Sequence, residues 1–321
     1  MATFSTQIAQ PIPYEHSLQT LSDRNEDVIV VQGTSLNIVI PKAPLSHGSV
    51  QIIPQSDASH FSQWSTQQHQ EAHSLIQRVA NAFKKEGITD YMVYGKESPD
   101  ASFRWEVVPY TRSNWSCVNI FWRFWQQFKV LWKISFGGGS YSNEERQNIA
   151  ETLRKNLDPS AAVAAVPKAV KTDPFCNPEI IKKQCVFEGK HINVLYDYAP
   201  LTLGKDRLHF LLVPKHHCSK FTELTAEEYI ESKKISQKLQ KHYQAKGFNT
   251  AYQFAKTGLQ AGQTVPHYHE HIVFTDTKTQ ESLGKLRVLG RMLFGSSALK
   301  KDELQSRVAA LKVELERPLS V

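Results

Sequence analysis

Gly262-Gln263-Thr264-Val265-Pro266-His267-Tyr268-His269-Glu270-His271-Ile272-Val273-Phe274 is the stretch on which the reading of this chain turns. Three histidines alternate with other residues and run into an apolar tail, the period-2 pattern of a half-buried strand. That alternation places His267, His269 and His271 on one face. Packing alone explains such a row poorly, because three imidazoles in register each need a polar partner. A metal site is the first functional reading. At about 3.3 Å per residue, however, the outer two histidines stand roughly 13 Å apart, whereas a Zn–N bond is about 2 Å long. At most a neighbouring pair could share an ion. Nucleophilic catalysis fits better, with the central imidazole attacking and its neighbours holding its tautomer and position.

A second signal lies about fifty residues upstream, in His209-Phe210-Leu211-Leu212-Val213-Pro214-Lys215-His216-His217, a buried strand ending in Pro-Lys-x-His. Together, in this order, the two stretches resemble the histidine triad (HIT) nucleotide hydrolases and transferases. Glu270 departs from the pattern, since many members carry an apolar residue there. It puts a charge on the opposite face of the strand and so bears on packing.

The chain has 321 residues, enough for two domains. With 40% apolar and 21% charged residues it has the composition of a soluble globular protein. Four unevenly spaced cysteines do not make a disulfide framework, which points to a reducing compartment, the cytoplasm. Residues 1–20 have neither a basic region nor an apolar run, so they read as a disordered leader rather than a signal peptide. The net charge of +7 suits an anionic substrate. The cations are spread along the chain, so no specific nucleic-acid partner is implied.

The chain is written twice, with an offset close to 160. Ala43-Pro44-Leu45 recurs as Ala199-Pro200-Leu201, and Val50 to Pro54 recurs as Phe210 to Pro214. Ser65-Thr66-Gln67-Gln68 and Thr225-Ala226-Glu227-Glu228 both fit a helix-opening capping box. Gly87 and Gly247 both mark helix stops, and strands follow at Tyr91 to Tyr94 and Ala251 to Phe254. Laying Phe103 to Tyr110 over His267 to Phe274 replaces the three histidines by Phe103, Trp105 and Val107, so the first copy is expected to be chemically dead. The repeat continues through Phe128 to Gly137 against Leu286 to Gly295, and closing helices carry Leu153 and Leu157 against Leu311 and Leu315. Residues 21–157 are therefore read as a degenerate domain, 158–172 as a linker and 173–321 as the catalytic domain. Residues 115–136 hold Trp115, Trp122, Trp125 and Trp132, but Arg123, Lys129 and Lys133 make the run too polar to span a membrane. An amphipathic helix between the copies is expected, with a membrane-surface or partner helix as the other reading. Cys176 and Cys185 are eight residues apart between their positions, which is not a zinc-knuckle spacing, and no metal or cofactor is expected.

The resemblance implies an α+β fold. Each copy would be an antiparallel sheet of about five strands with helices on one side, the two packed as an intramolecular pseudo-dimer in a monomeric chain. By motif position His269 is the nucleophile, giving a nucleotidyl-histidine that water or another acceptor resolves. His271 and His217 match positions that orient the nucleophile and bind phosphate, and the backbone of His267 could hold the tautomer of His269. Gln263 and Thr264 match the polar pair that donates to phosphate oxygens or the leaving group. Asp197 matches the ligand of the ribose hydroxyls; its counterpart in the first copy is Pro41. The implied activity is phosphohydrolysis of nucleoside phosphoramidates or dinucleoside polyphosphates. Tandem relatives that transfer nucleotides end their motif His-x-His-x-Gln, whereas here His271 stands third, which favours hydrolysis. Nucleotidyl transfer or phosphorolysis, or a nucleotide-binding interaction protein built on the dead copy, are the alternatives.

Overall fold

A computed structural model describes residues 28–56, 60–99, 101–113, 118–158, 173–201, 207–276 and 282–319. The leader, most of the linker and Trp115 lie outside them. A ten-stranded antiparallel sheet runs through the molecule in the order β1-β2-β3-β5-β4-β9-β10-β8-β7-β6. The first half supplies β1 (Val28–Gln32), β2 (Leu36–Ile40), β3 (Val50–Pro54), β4 (Asp90–Glu97) and β5 (Trp105–Tyr110). The second supplies β6 (Cys185–Glu188), β7 (Ile192–Tyr196), β8 (His209–Pro214), β9 (Thr250–Thr257) and β10 (Glu270–Thr275). The two halves join edge to edge, because β4 and β9 pair antiparallel from Tyr91↔Thr257 to Glu97↔Ala251. Tyr94 faces Phe254, its own counterpart in the repeat, so a pseudo-two-fold axis passes between them. Pairing the two edges also removes two exposed rows of backbone donors and acceptors.

Seven helices surround the sheet among the described residues: α1 (Thr66–Lys85), α2 (Asn119–Phe136), α3 (Asn143–Asn156), α4 (Pro178–Gln184), α5 (Ala226–Gln244), α6 (Ser282–Phe294) and α7 (Lys301–Leu319). The long helices α1 and α5 start as the sequence predicts. Ser65 and Thr225 accept from the amides of Gln68 and Glu228, whose side chains reach back to close the capping boxes. Past the ends of these helices Gly87 and Gly247 have φ of +77° and +91°, a conformation that costs only glycine little. A further matched device was not legible in the sequence. The Glu71 carboxylate accepts from the amides of Thr34 and Ser35, and Glu231 accepts in the same way from Lys190 and His191. Each helix thereby clamps the β1–β2 or β6–β7 turn.

Helices α1 and α3 cover one face of the first half through Leu75, Ile76, Val79 and Leu153; α5 and α7 cover the second through Ile235, Leu239, Leu311 and Leu315. The expectation of helices on one side only is corrected, since α2 and α6 lie on the opposite face. There the alternate strand positions Met92, Val108, Phe254 and Val273 are also apolar and pack against Val130 and Met292. A sheet apolar on both faces needs cover on both. Within α2 only Val130 and Leu131 are fully buried.

Candidate active site

The structure shortens the histidine strand. β10 begins at Glu270, so His267 and His269 sit in the extended lead-in, where the Tyr268 amide donates to the Cys218 carbonyl at 2.6 Å. This backbone arrangement settles the tautomer of His269. His269 Nδ1 lies 2.8 Å from the carbonyl oxygen of His267. A carbonyl only accepts, so Nδ1 carries the proton and Nε2 keeps its lone pair. Burial lowers the His269 pKa to about 4, which leaves the ring neutral at neutral pH. The His267 carbonyl thus stands within hydrogen-bond reach of His269.

His271 flanks His269, with ring centroids 4.9 Å apart. Its ring stacks on Phe254 at 4.5 Å. Its Nδ1 is 3.0 Å from Nε2 of His209, and Nδ1 of His209 is 3.1 Å from an Asp197 carboxylate oxygen. The result is a chain Asp197–His209–His271, with Asp197 and His209 buried and His271 half-buried, that ends beside His269. Sequence reading named Asp197 and His271 but missed His209. The available signal was the strand it opens: β8 pairs with β10, and His209 falls opposite Val273, two residues beyond His271.

The structure places His217 beside Asp173 and His267. Its Nδ1 is 2.8 Å from Asp173 Oδ2, and the same oxygen is 2.6 Å from His267 Nδ1. Cys176 Sγ is 3.1 Å from that oxygen and 3.7 and 3.8 Å from the two imidazole nitrogens. Four donor atoms thus converge within 4.8 Å of one another. Nε2 of His267 lies 3.0 Å from the Pro214 carbonyl and so carries that ring's proton, which points the bare Nδ1 lone pair at the Asp173 carboxylate. Burial lowers the His267 pKa, so a second ring proton is disfavoured. A cation between the donors removes this repulsion, and one sulfur, two nitrogens and one oxygen suit zinc. The expectation of no metal therefore meets a cluster that fits one. The geometric objection to one ion on all three triad histidines stands, because His267 turns to this cluster while His271 faces His209. Sequence reading weighed Cys176 with Cys185, but Cys185 donates to the Phe187 carbonyl in β6 and takes no part. The informative pair was Asp173 and Cys176, three residues apart on a 3-10 turn started by Pro174.

Gln263 is committed to the backbone. Its Oε1 accepts from the Gly258 amide at 2.7 Å, and its Nε2 donates to Ser219 and His267 carbonyls at 3.0 and 3.4 Å. In this structure it braces the loop before the triad rather than presenting a donor, while Thr264 is exposed. The first half props the same loop. Buried Asp90 accepts from the Gln260 amide at 2.7 Å, and Gln127 of α2 donates to the Gln260 carbonyl at 2.9 Å. Gly258 packs so tightly on Asp90 that a Cβ there would meet the carboxyl carbon at 2.4 Å, and its φ is +83°.

Strand pairing also corrects which residues replaced the triad in the first half. Tyr94 faces Glu106, while its counterpart Phe254 faces His271. Val50 faces Val107, while its counterpart Phe210 faces Ile272. Glu106 is therefore the counterpart of His271, Trp105 of Glu270 and, by continuation, Arg104 of His269. The alignment read from sequence was one residue off, which in a strand exchanges the two faces. Glu106 is buried and accepts from Gln51 Nε2 and the Leu45 amide, both at 2.8 Å, and Arg104 donates to Gln51. The first half thus keeps a polar network at this position, made of groups other than histidine.

The model of the HIT domain matches residues 179–278. An uncharacterized HIT-like protein of Methanocaldococcus jannaschii is 33% identical over 102 residues, covering 31% of this chain and 75% of that protein. Protein hit of Bacillus subtilis is 33% identical over 92 residues, and the match spans 27% of this chain and 59% of that relative's length. The bis(5'-adenosyl)-triphosphatase of Dictyostelium discoideum is 29% identical over 107 residues, covering 32% and 67% of the two chains. The chain belongs to the HIT family.

Proposed function

We propose that this chain is a nucleotide phosphohydrolase that works through a nucleotidyl-histidine, with nucleoside phosphoramidates or dinucleoside polyphosphates as substrates. The single observation that carries the reading is the 2.8 Å contact of His269 Nδ1 with the His267 carbonyl, which leaves a neutral Nε2 free to attack. Nε2 bonds to the phosphorus bearing the nucleoside, the bond to the leaving group breaks, and the ring's new positive charge is met at Nδ1 by the carbonyl. Water then attacks the same phosphorus, releases the nucleoside monophosphate and returns His269 to its neutral form. His271 stands next to the reacting nitrogen, and Asp197 and His209 hold its orientation. Asp197, at the position of the ribose ligand, links ribose recognition to that chain. The similarity to a bis(5'-adenosyl)-triphosphatase supports a dinucleoside polyphosphate as substrate. A histidine rather than glutamine at 271 supports water as the acceptor.

In the same reading residues 21–157 form a degenerate unit, 158–172 a linker and 173–321 the catalytic unit, with one active site in a monomeric chain. Asp173, Cys176, His217 and His267 would hold a zinc ion that fixes the lead-in to β10 and with it the carbonyl partner of His269. Stoichiometric zinc in the purified protein, lost in His217→Ala, is the expected result of elemental analysis; a zinc-free wild-type protein refutes that part. For the activity itself, acid-quenched reactions with labelled diadenosine triphosphate and adenosine phosphoramidate should trap one nucleotidyl group per chain. His269→Ala should trap none and lose at least about 10⁴-fold in turnover, in line with removal of a nucleophile. Turnover by His269→Ala within about tenfold of the wild type contradicts the assignment.

A further inference from the structure

We propose that the α2/α6 face is a docking surface for an anionic lipid bilayer, on which the protein lies peripherally. Val130 and Leu131 of α2 are buried and Gln127 and Lys133 bond to the chain, but most of the large apolar side chains of α2 are left uncovered among the described residues. Ile120 and Phe121 are 71% and 79% exposed, and Trp122, Phe124, Trp125, Trp132 and Phe136 each lie between 38% and 47%. On α6, Phe294 is 79% exposed and Leu286 44%. The two helices run side by side, joined where Phe124 meets Phe294 at 5.9 Å, so their aromatic residues share one surface. On the flank towards α3, Trp122, Phe128 and Trp132 wall an apolar cavity of about 1010 Å³, so α2 is not drawn down onto the first half along its length. A contiguous apolar surface of this kind on a folded chain marks an interaction site.

The charge of the two helices selects the occupant. Arg123, Lys129 and Lys133 on α2 and Lys285, Arg287 and Arg291 on α6 are all cations, and neither helix contains an aspartate or glutamate. Lys133 and Arg291 turn inward to the carbonyls of Pro44 and Leu201. Lys129 and Arg287 are exposed, and Arg123 and Lys285 half-buried. Lys129 stands 5.1 Å over the Trp125 ring, a cation and an amphipathic aromatic at one level, as at a headgroup boundary. A second copy of this chain would bring like charges together across the contact, which is unfavourable. An anionic headgroup layer meets the cations while the exposed Trp and Phe side chains enter the acyl boundary. Among the described residues no helix is long and apolar enough to cross a membrane, so the mode is lying on the surface.

The test is cosedimentation of the full-length protein with vesicles of phosphatidylcholine alone and of phosphatidylcholine mixed with phosphatidylglycerol. Binding is expected only to the mixed vesicles, weakening with salt, with a blue shift of tryptophan emission. Two variants at exposed positions, Phe121→Ser with Trp125→Ser, and Lys129→Glu with Arg287→Glu, should each lower vesicle affinity by at least about tenfold. Thermal melts that match the wild type show that they fold. Wild-type protein that ignores the anionic vesicles, or variants that bind them as tightly, overturn the proposal. So does light scattering that finds a wild-type dimer converted to monomer by Phe121→Ser with Trp125→Ser, which assigns the face to self-association.

Discussion

The two halves of the sheet keep the same skeleton and differ in what they place on it. Both clamp their outer turn with a helix glutamate, Glu71 or Glu231, and both open a long helix with a capping box at Ser65 or Thr225. Where the second half has Asp197, His209 and His271, the first has Pro41, Ser49 and Glu106 at the matching positions. The difference separates two kinds of constraint. Caps, clamps and glycine stops answer to backbone hydrogen bonding, which is the same in each half. Side chains on the sheet face answer to chemistry, which under the proposed function only the second half performs. What the first half does instead is support: Asp90 and Gln127 hold the loop at Gln260, and Trp105 lies under the Lys233 ammonium at 4.4 Å.

Separating the halves tests this division most severely. Residues 173–321 alone would expose the β9 edge, where seven residues now pair with β4. Such an edge templates pairing with other chains. The fragment should form a homodimer through β9 or aggregate in light scattering, whereas the whole chain should be monomeric. A monomeric fragment with full activity would show that the first half is dispensable.

The next effect lies at the seam. Lys233 and Glu270, 2% and 3% exposed, form a buried ion pair at 2.5 Å, with Ser232 donating to the same carboxylate at 2.9 Å. Burial pulls the Lys233 pKa below the usual lysine range, and the facing carboxylate opposes that shift. Lys233→Met leaves a buried carboxylate unpaired and should cost about 3–5 kcal/mol in denaturant unfolding. Lys233→Met with Glu270→Leu should recover most of that loss, because replacing both partners of a buried pair is often near neutral. If the double variant is as unstable as the single one, the pair does more than satisfy itself.

The smallest expected effect reads the support directly. Asp90→Ala removes the acceptor of the Gln260 amide and loosens the loop that Gln263 braces. A charge-assisted hydrogen bond of about 1.5–3 kcal/mol lost at the site corresponds to a fall of roughly ten- to a hundredfold in kcat/KM. Trapped nucleotidyl-histidine should still form on His269, only more slowly. Unchanged kcat/KM with a lowered melting temperature would make Asp90 a residue of stability alone.

Much of this was readable from the chain. Alternation, capping boxes and glycine stops are local rules, written within a few residues, so the repeat, its helices and the His269 position could be read directly. The tautomer of His269 was also within reach, since its partner is a backbone atom only two residues away. Three things were decided by tertiary structure. The register of β5 against β10 depends on neighbours β3, β4, β8 and β9, and a one-residue error in it misassigned every first-half counterpart of the triad. The Asp173 cluster joins residues 44 and 94 positions away from it in sequence, His217 and His267, across two chain segments that no local pattern connects. Glu270, an oddity in the sequence, finds its lysine on a helix 37 residues upstream. A local pattern fixes which face a side chain takes. Which distant group meets it there is set by how the strands pair and where the helices cross them.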